Sequence, residues 1–161
     1  MKKVFKIITV FSISFYSCSS IPKDSKLYER AYDYVKLRHQ KLIVSDSINN
    51  LDLTIFSDKI AEKKSKDLIK VLDSLSSIQD SNFFNPYNYS LSKKLDLEKG
   101  EIFDYKAFFS KPINNSLLVE VYKTNKNLNY KEIMFGSSDA YLFKFKNSKI
   151  ISVDSVKIDY N

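Results

Sequence analysis

Apolar positions follow two different periods along this chain, helical in the first half and alternating in the second. Leu27, Tyr28, Ala31, Tyr32 and Val35 recur at three- and four-residue steps, which predicts an amphipathic helix over 25–40. Asp24 or Ser25 stands where a cap is needed, and Glu29, Arg30, Asp33 and Lys36 fall on the outer face. Residues 42–48 and 51–56 flank Asn49 and Asn50 and predict a hairpin, because Leu51, Leu53 and Ile55 alternate with Asp52 and Thr54. After Ser57 and Asp58, a second capping pair, Leu68, Val71, Leu72 and Leu75 lie at i, i+3, i+4 and i+7 and predict a helix over 58–78. Residues 91–99 read as a short helix ended by Gly100.

From residue 101 onward the period is two. Phe103, Tyr105 and Ala107 alternate with polar residues, a turn is predicted at 112–115, and Leu117, Val119 and Val121 alternate with Leu118, Glu120 and Tyr122. Residues 130–135 read as a further strand and 136–139, Gly-Ser-Ser-Asp, as a turn or bulge. Tyr141, Phe143 and Phe145 mark a clear strand, Asn147 and Ser148 a turn, and 150–160 a final strand. Ile151 and Val153 share one parity and Val156, Ile158 and Tyr160 the other, which predicts a bulge near Asp154 and Ser155.

Helices followed by a meander imply an α+β fold in which N-terminal helices pack on one face of a curved antiparallel sheet. The element order is similar to that of cystatin-like and nuclear-transport-factor-2-like domains. That resemblance implies a pocket between helix and sheet, which serves some relatives as an active site built from Asp, His and Tyr and others as a binding site. It implies no site residues here.

Residues 1–20, MKKVFKIITVFSISFYSCSS, stand apart from this pattern. Lys2, Lys3 and Lys6 precede an apolar stretch of about 13 residues, shorter than the roughly 20 that a membrane-spanning helix needs. Small residues then surround Cys18, the single cysteine. The leader resembles that of a bacterial lipoprotein, in which a signal peptidase cuts before a lipidated cysteine, with Ser17-Cys18 carrying the match and Phe15 and Tyr16 departing from the usual Leu and small residue. Such relaxed forms are common in Bacteroidota-type lipoproteins, and the Lys, Asn, Ile, Phe and Ser bias resembles theirs. An ordinary cleaved signal or an uncleaved N-terminal anchor are the alternatives. The lipoprotein reading divides the chain into a signal peptide at 1–17, a lipidated Cys18 with a tether to residue 24, and one globular domain at 25–161. It implies palmitate on Cys18 and attachment to a membrane of the cell envelope, the outer membrane of a Gram-negative bacterium.

Composition narrows the chemistry. The formal charge is +7, or +4 without the three leader lysines, and lysines alternate with acids at 62–67 and 93–99. Nucleic acid is therefore not expected as a partner. With Cys18 lipidated no thiol remains for disulfides, thiol catalysis or metal binding, and no metal or cofactor is expected. Lys63, Lys64, Lys66 and Lys70 read as the wet side of their helix, with anionic headgroups as the sharper alternative. His39, the single histidine, follows Arg38 at a helix end, where a cation is favoured.

Two functions follow. One is a tethered, non-catalytic domain that binds a small ligand or a protein, with Phe83, Phe84, Tyr87 and Tyr89 of the polar loop 79–90 as the candidate surface. The other is a small pocket enzyme, a hydrolase or isomerase-like domain using Asp46, Asp52 or Asp104 with Tyr and His39.

Overall fold

In the computed structural model, described over residues 25–80, 102–126, 129, 133 and 135–160, both faces of one five-stranded sheet are covered. The elements are α1 (Ser25–Lys36), β1 (Leu42–Ile48), a 3-10 turn (Leu53–Phe56), α2 (Ser57–Lys64), α3 (Leu68–Asp80), β2 (Tyr105–Phe109), β3 (Ser116–Lys123), β4 (Gly136–Lys146) and β5 (Lys149–Tyr160). The strands are ordered as in the chain. The leader with Cys18, the loop residues Phe83, Phe84, Tyr87 and Tyr89, the helix expected at 91–99 and most of 130–135 lie outside the described residues.

The fold is α+β, with strands β2 to β5 antiparallel as the alternation predicts. Its first strand changes the picture, because β1 runs parallel to β2, with Leu42 beside Tyr105 and Val44 beside Ala107. Parallel neighbours cannot be joined by a hairpin, so the chain must return along the sheet before β2 begins. That return carries the 3-10 turn, α2 and α3 over the face opposite α1. Helices therefore cover both faces, not one as expected.

The expected hairpin is absent for the same reason. Asn49 continues the ladder, its N–H bonding the Phe109 carbonyl at 2.8 Å, and Asp52 caps the 3-10 turn by accepting from the Thr54 N–H at 2.8 Å. Leu51 and Phe56 are buried as a result, whereas a strand would have put Leu51, Leu53 and Ile55 on one face. The long helix also differs. Ser65 takes the left-handed conformation (φ 49°) and ends α2, and Asp67 starts α3 by accepting from the Ile69 N–H at 2.9 Å.

Under α1, Leu27, Tyr28, Ala31, Tyr32 and Val35 pack on Phe109, Val119, Tyr141 and Phe143. On the opposite face Phe56 meets Phe108, Leu118, Tyr122 and Leu142. Every residue from Leu117 to Tyr122 is buried, which makes β3 the central strand. Burying one such side chain fully contributes about 1.5–3 kcal/mol.

Two details of the last strands differ from expectation. Residues 136–139 belong to β4 rather than to a turn. Gly136 (φ 119°) opens that strand because a Cβ there would strike the Tyr122 hydroxyl, which itself donates to the Phe135 carbonyl. The bulge lies at Ile151 instead of 154–155, since Lys144 pairs with Ser152 but Phe145 with Ile150. Val156, Ile158 and Tyr160 simply face the second core.

Candidate functional site: a lysine-rimmed cavity beneath α3

α3 rests on α2 and the 3-10 turn, and between it and the sheet lies a cavity of about 680 Å³. Val71, Leu75 and Ile78 project from the helical side, Leu118 and Leu142 form the floor, and Leu51, Leu53 and Ile60 close the end near the 3-10 turn. The site exists because α3 is amphipathic and, among the described residues, rests chiefly on α2 and the 3-10 turn. Its inner stripe therefore faces a space instead of a packed sheet. Cavities that hold small ligands commonly run about 300–1,000 Å³ with apolar walls and a few polar groups.

The rim is cationic. Lys64, Lys66 and Lys70 stand exposed along the helical side, and Lys111 and Lys144 line the sheet side half-buried. Asp67 is the single lining carboxylate among the described residues, and its Oδ1 already accepts from the Ile69 N–H at 2.9 Å and the Lys70 N–H at 3.4 Å. Behind the rim, buried Asp154 accepts from Lys63 Nζ at 3.0 Å, while Lys144 Nζ lies 4.0 Å from its other oxygen. The lysine cluster that reads as a wet helix face is thus split. Lys63 anchors α2 to β5, and Lys64, Lys66 and Lys70 surround the opening.

Of the residues named for acid and base chemistry, Asp52, Asp104 and His39 do not come together. Asp52 caps the 3-10 turn, and Asp104 pairs with Lys41 at 3.5 Å on the surface. For Asp46 only the backbone, in β1, is described. His39 is not a cation at a helix end but a buried group, 7% exposed, whose Nε2 lies 2.8 Å from the Tyr141 hydroxyl and 3.9 Å from Asp139 Oδ2. Tyr105 packs on its ring at 4.9 Å between centroids. Burial lowers the His39 pKa below its ordinary 6.5, with Asp139 opposing and Arg38 adding to the effect. The Tyr141 phenol is pushed up to about 12, first by burial and then by Asp139. At neutral pH the pair is therefore a neutral imidazole hydrogen-bonded to a protonated phenol. This group lies under α1, on the opposite face from the cavity, since Tyr141 and Phe143 point one way and Leu142 and Lys144 the other.

A second buried polar group escapes a sequence reading altogether. Glu120, 2% exposed, accepts from Ser138 Oγ at 2.5 Å and from the Tyr160 hydroxyl. In the sequence it reads as the wet position of an alternating strand. The signal against that was Leu118 and Tyr122, both apolar and of the same parity. For the cavity itself the signal was the apolar stripe of α3 beside a lysine cluster, but nothing in the sequence places that stripe off the sheet.

Among the described residues no group of three or more His, Cys, Asp or Glu side chains is arranged to hold a metal ion, and no helix is long and apolar enough to cross a membrane. Comparison with known proteins gives no match, whether to a family model, a curated protein or a solved structure.

Proposed function

We propose that this chain is an envelope lipoprotein, tethered through a lipidated Cys18, whose folded domain binds a small ligand without catalysis in the cavity beneath α3. The observation that carries the reading is the cavity itself: about 680 Å³ of space walled by Val71, Leu75, Leu118 and Leu142. An apolar ligand seated there takes the aliphatic lining out of water, which contributes roughly 25 cal/mol per Å² buried. Among the described residues no imidazole or phenol joins the Asp67 carboxylate in lining that space, which favours binding over chemistry.

The tether is supported by the leader alone, in the order charge, apolar run, small residues and cysteine. Its seven residues, 18–24, extend at most about 25 Å, so the cavity would stay close to the bilayer.

Two measurements test the two halves. Metabolic labelling with palmitate should mark the wild type and not Cys18→Ala, and label kept by the variant would sink the tether. For the cavity, N-phenyl-1-naphthylamine, a neutral apolar fluorophore, should bind the full chain saturably at one site. Leu142→Trp, which fills the floor, should abolish that binding with circular dichroism unchanged. A wild type that shows no saturable site would contradict the reading.

A further inference from the structure

We infer that the ligand of this cavity is a single-chain anionic amphiphile, its tail on the Leu118 and Leu142 floor and its carboxylate or phosphate head among the rim lysines. The inference rests on the proposed binding role and adds the chemical class of what is bound. Walls and rim differ in kind. The walls are mainly aliphatic, with Val71, Leu75, Leu118 and Leu142 offering no charge and neutral Asn and Ser side chains between them, whereas five lysines and one acid stand around them. That acid, Asp67, is engaged at the start of α3. A neutral apolar ligand would make no use of the exposed ammonium groups of Lys64, Lys66 and Lys70, and a cationic one would be repelled by them. An anion with an apolar chain satisfies both surfaces at once.

The geometry also sets where the head sits. Lys64, Lys66 and Lys70 are exposed, so they meet the ligand at the mouth, where a head group keeps part of its hydration. Lys144 lies deeper and is held near Asp154, which offsets part of its charge. The head is accordingly expected at the helical side, between the α2–α3 junction and the first turns of α3. Among the described residues no arginine lines the cavity, so the head is held by ammonium point charges and not by a planar fork, which fits recognition of a charge more than of a particular oxyanion shape.

The test uses the full chain in nanodiscs of neutral phosphatidylcholine, with empty nanodiscs as the blank, and displacement of dansylundecanoate fluorescence as the readout. Competitors are dodecanoate, dodecyl phosphate and dodecyltrimethylammonium, which share one chain and differ in the head. Either anion should compete at least about tenfold better than the ammonium, and the preference should shrink as salt rises from 0.05 to 0.5 M, both being roughly what a few charges at close range supply. Lys66→Glu with Lys70→Glu, both at exposed positions, should reverse or erase that preference while N-phenyl-1-naphthylamine still binds. Equal competition by all three heads would overturn the anion inference and leave the cavity reading intact. Loss of both the neutral and the charged probes from the wild type would overturn both. Lysine-dependent binding to anionic vesicles that neither dodecanoate nor Leu142→Trp affects would show a surface contact with membrane and overturn the inference too.

Discussion

At the residue scale, two buried polar groups set what the sheet tolerates. His39 is held neutral among Tyr105, Tyr141, Asp139 and Arg38, its pKa below 6.5 through burial. A histidine depressed in the folded state binds fewer protons than in the unfolded chain. Its contribution is therefore complete above pH 6.5 and is lost as pH falls from there toward the folded pKa. Thermal unfolding of the wild type should weaken more between pH 7.5 and 5.5 than that of His39→Gln, and parallel curves would refute the assignment. Glu120 behaves differently. Glu120→Ala strands the hydroxyls of Ser138 and Tyr160 and should cost about 2–4 kcal/mol, whereas Tyr160→Phe removes one donor and should cost about 1–3 kcal/mol. Urea denaturation of both variants measures the difference, and a Glu120→Ala cost below about 1 kcal/mol would show that the cluster carries no stability.

At the element scale, the junction between α2 and α3 decides whether the cavity exists. Ser65 ends one helix in a left-handed turn and Asp67 begins the next. Asp67→Ala should cost about 1 kcal/mol and loosen the first turn of α3. Amide hydrogen exchange at Ile69 and Lys70 should rise, and unchanged protection there would refute the cap. The sequence could show α1 and β5 because their burial follows their period. It could not show the break at 65–67, since Leu68, Val71 and Leu75 keep the phase of a continuous helix, although the Asp67 cap was there to be read. The missed hairpin has the same origin. Asp52 and Thr54 alternate with apolar neighbours in a strand and also make a good cap for a tight turn, and only the parallel course of β1 selects the second.

At the scale of the whole molecule, the sheet separates two kinds of interior. The α1 face is packed with aromatic rings, such as Tyr34 against Phe143 at 5.2 Å and Tyr28 against Phe109 at 5.9 Å. The opposite face is packed around Phe56 but left open beneath α3. The run Leu117 to Tyr122, read as an alternating strand, is buried on both sides, and the apolar Leu118 and Tyr122 on its expected wet parity were the sequence signal for a second covering layer. Nothing comparable marks empty space, because a lining residue and a packed residue look alike in sequence. Ligand-dependent stability follows from this arrangement. A ligand at 100 times its Kd should raise unfolding free energy by about 2.7 kcal/mol, and Leu142→Trp should remove that gain.

The placement of the ligand is read most directly by methyl NMR of the full chain in neutral nanodiscs, titrated with dodecanoate. The account predicts shifts at Val71, Leu75, Leu118 and Leu142, with Leu27, Val35 and Val44 beneath α1 unmoved. Shifts concentrated beneath α1, or none at Leu118 and Leu142, would contradict it.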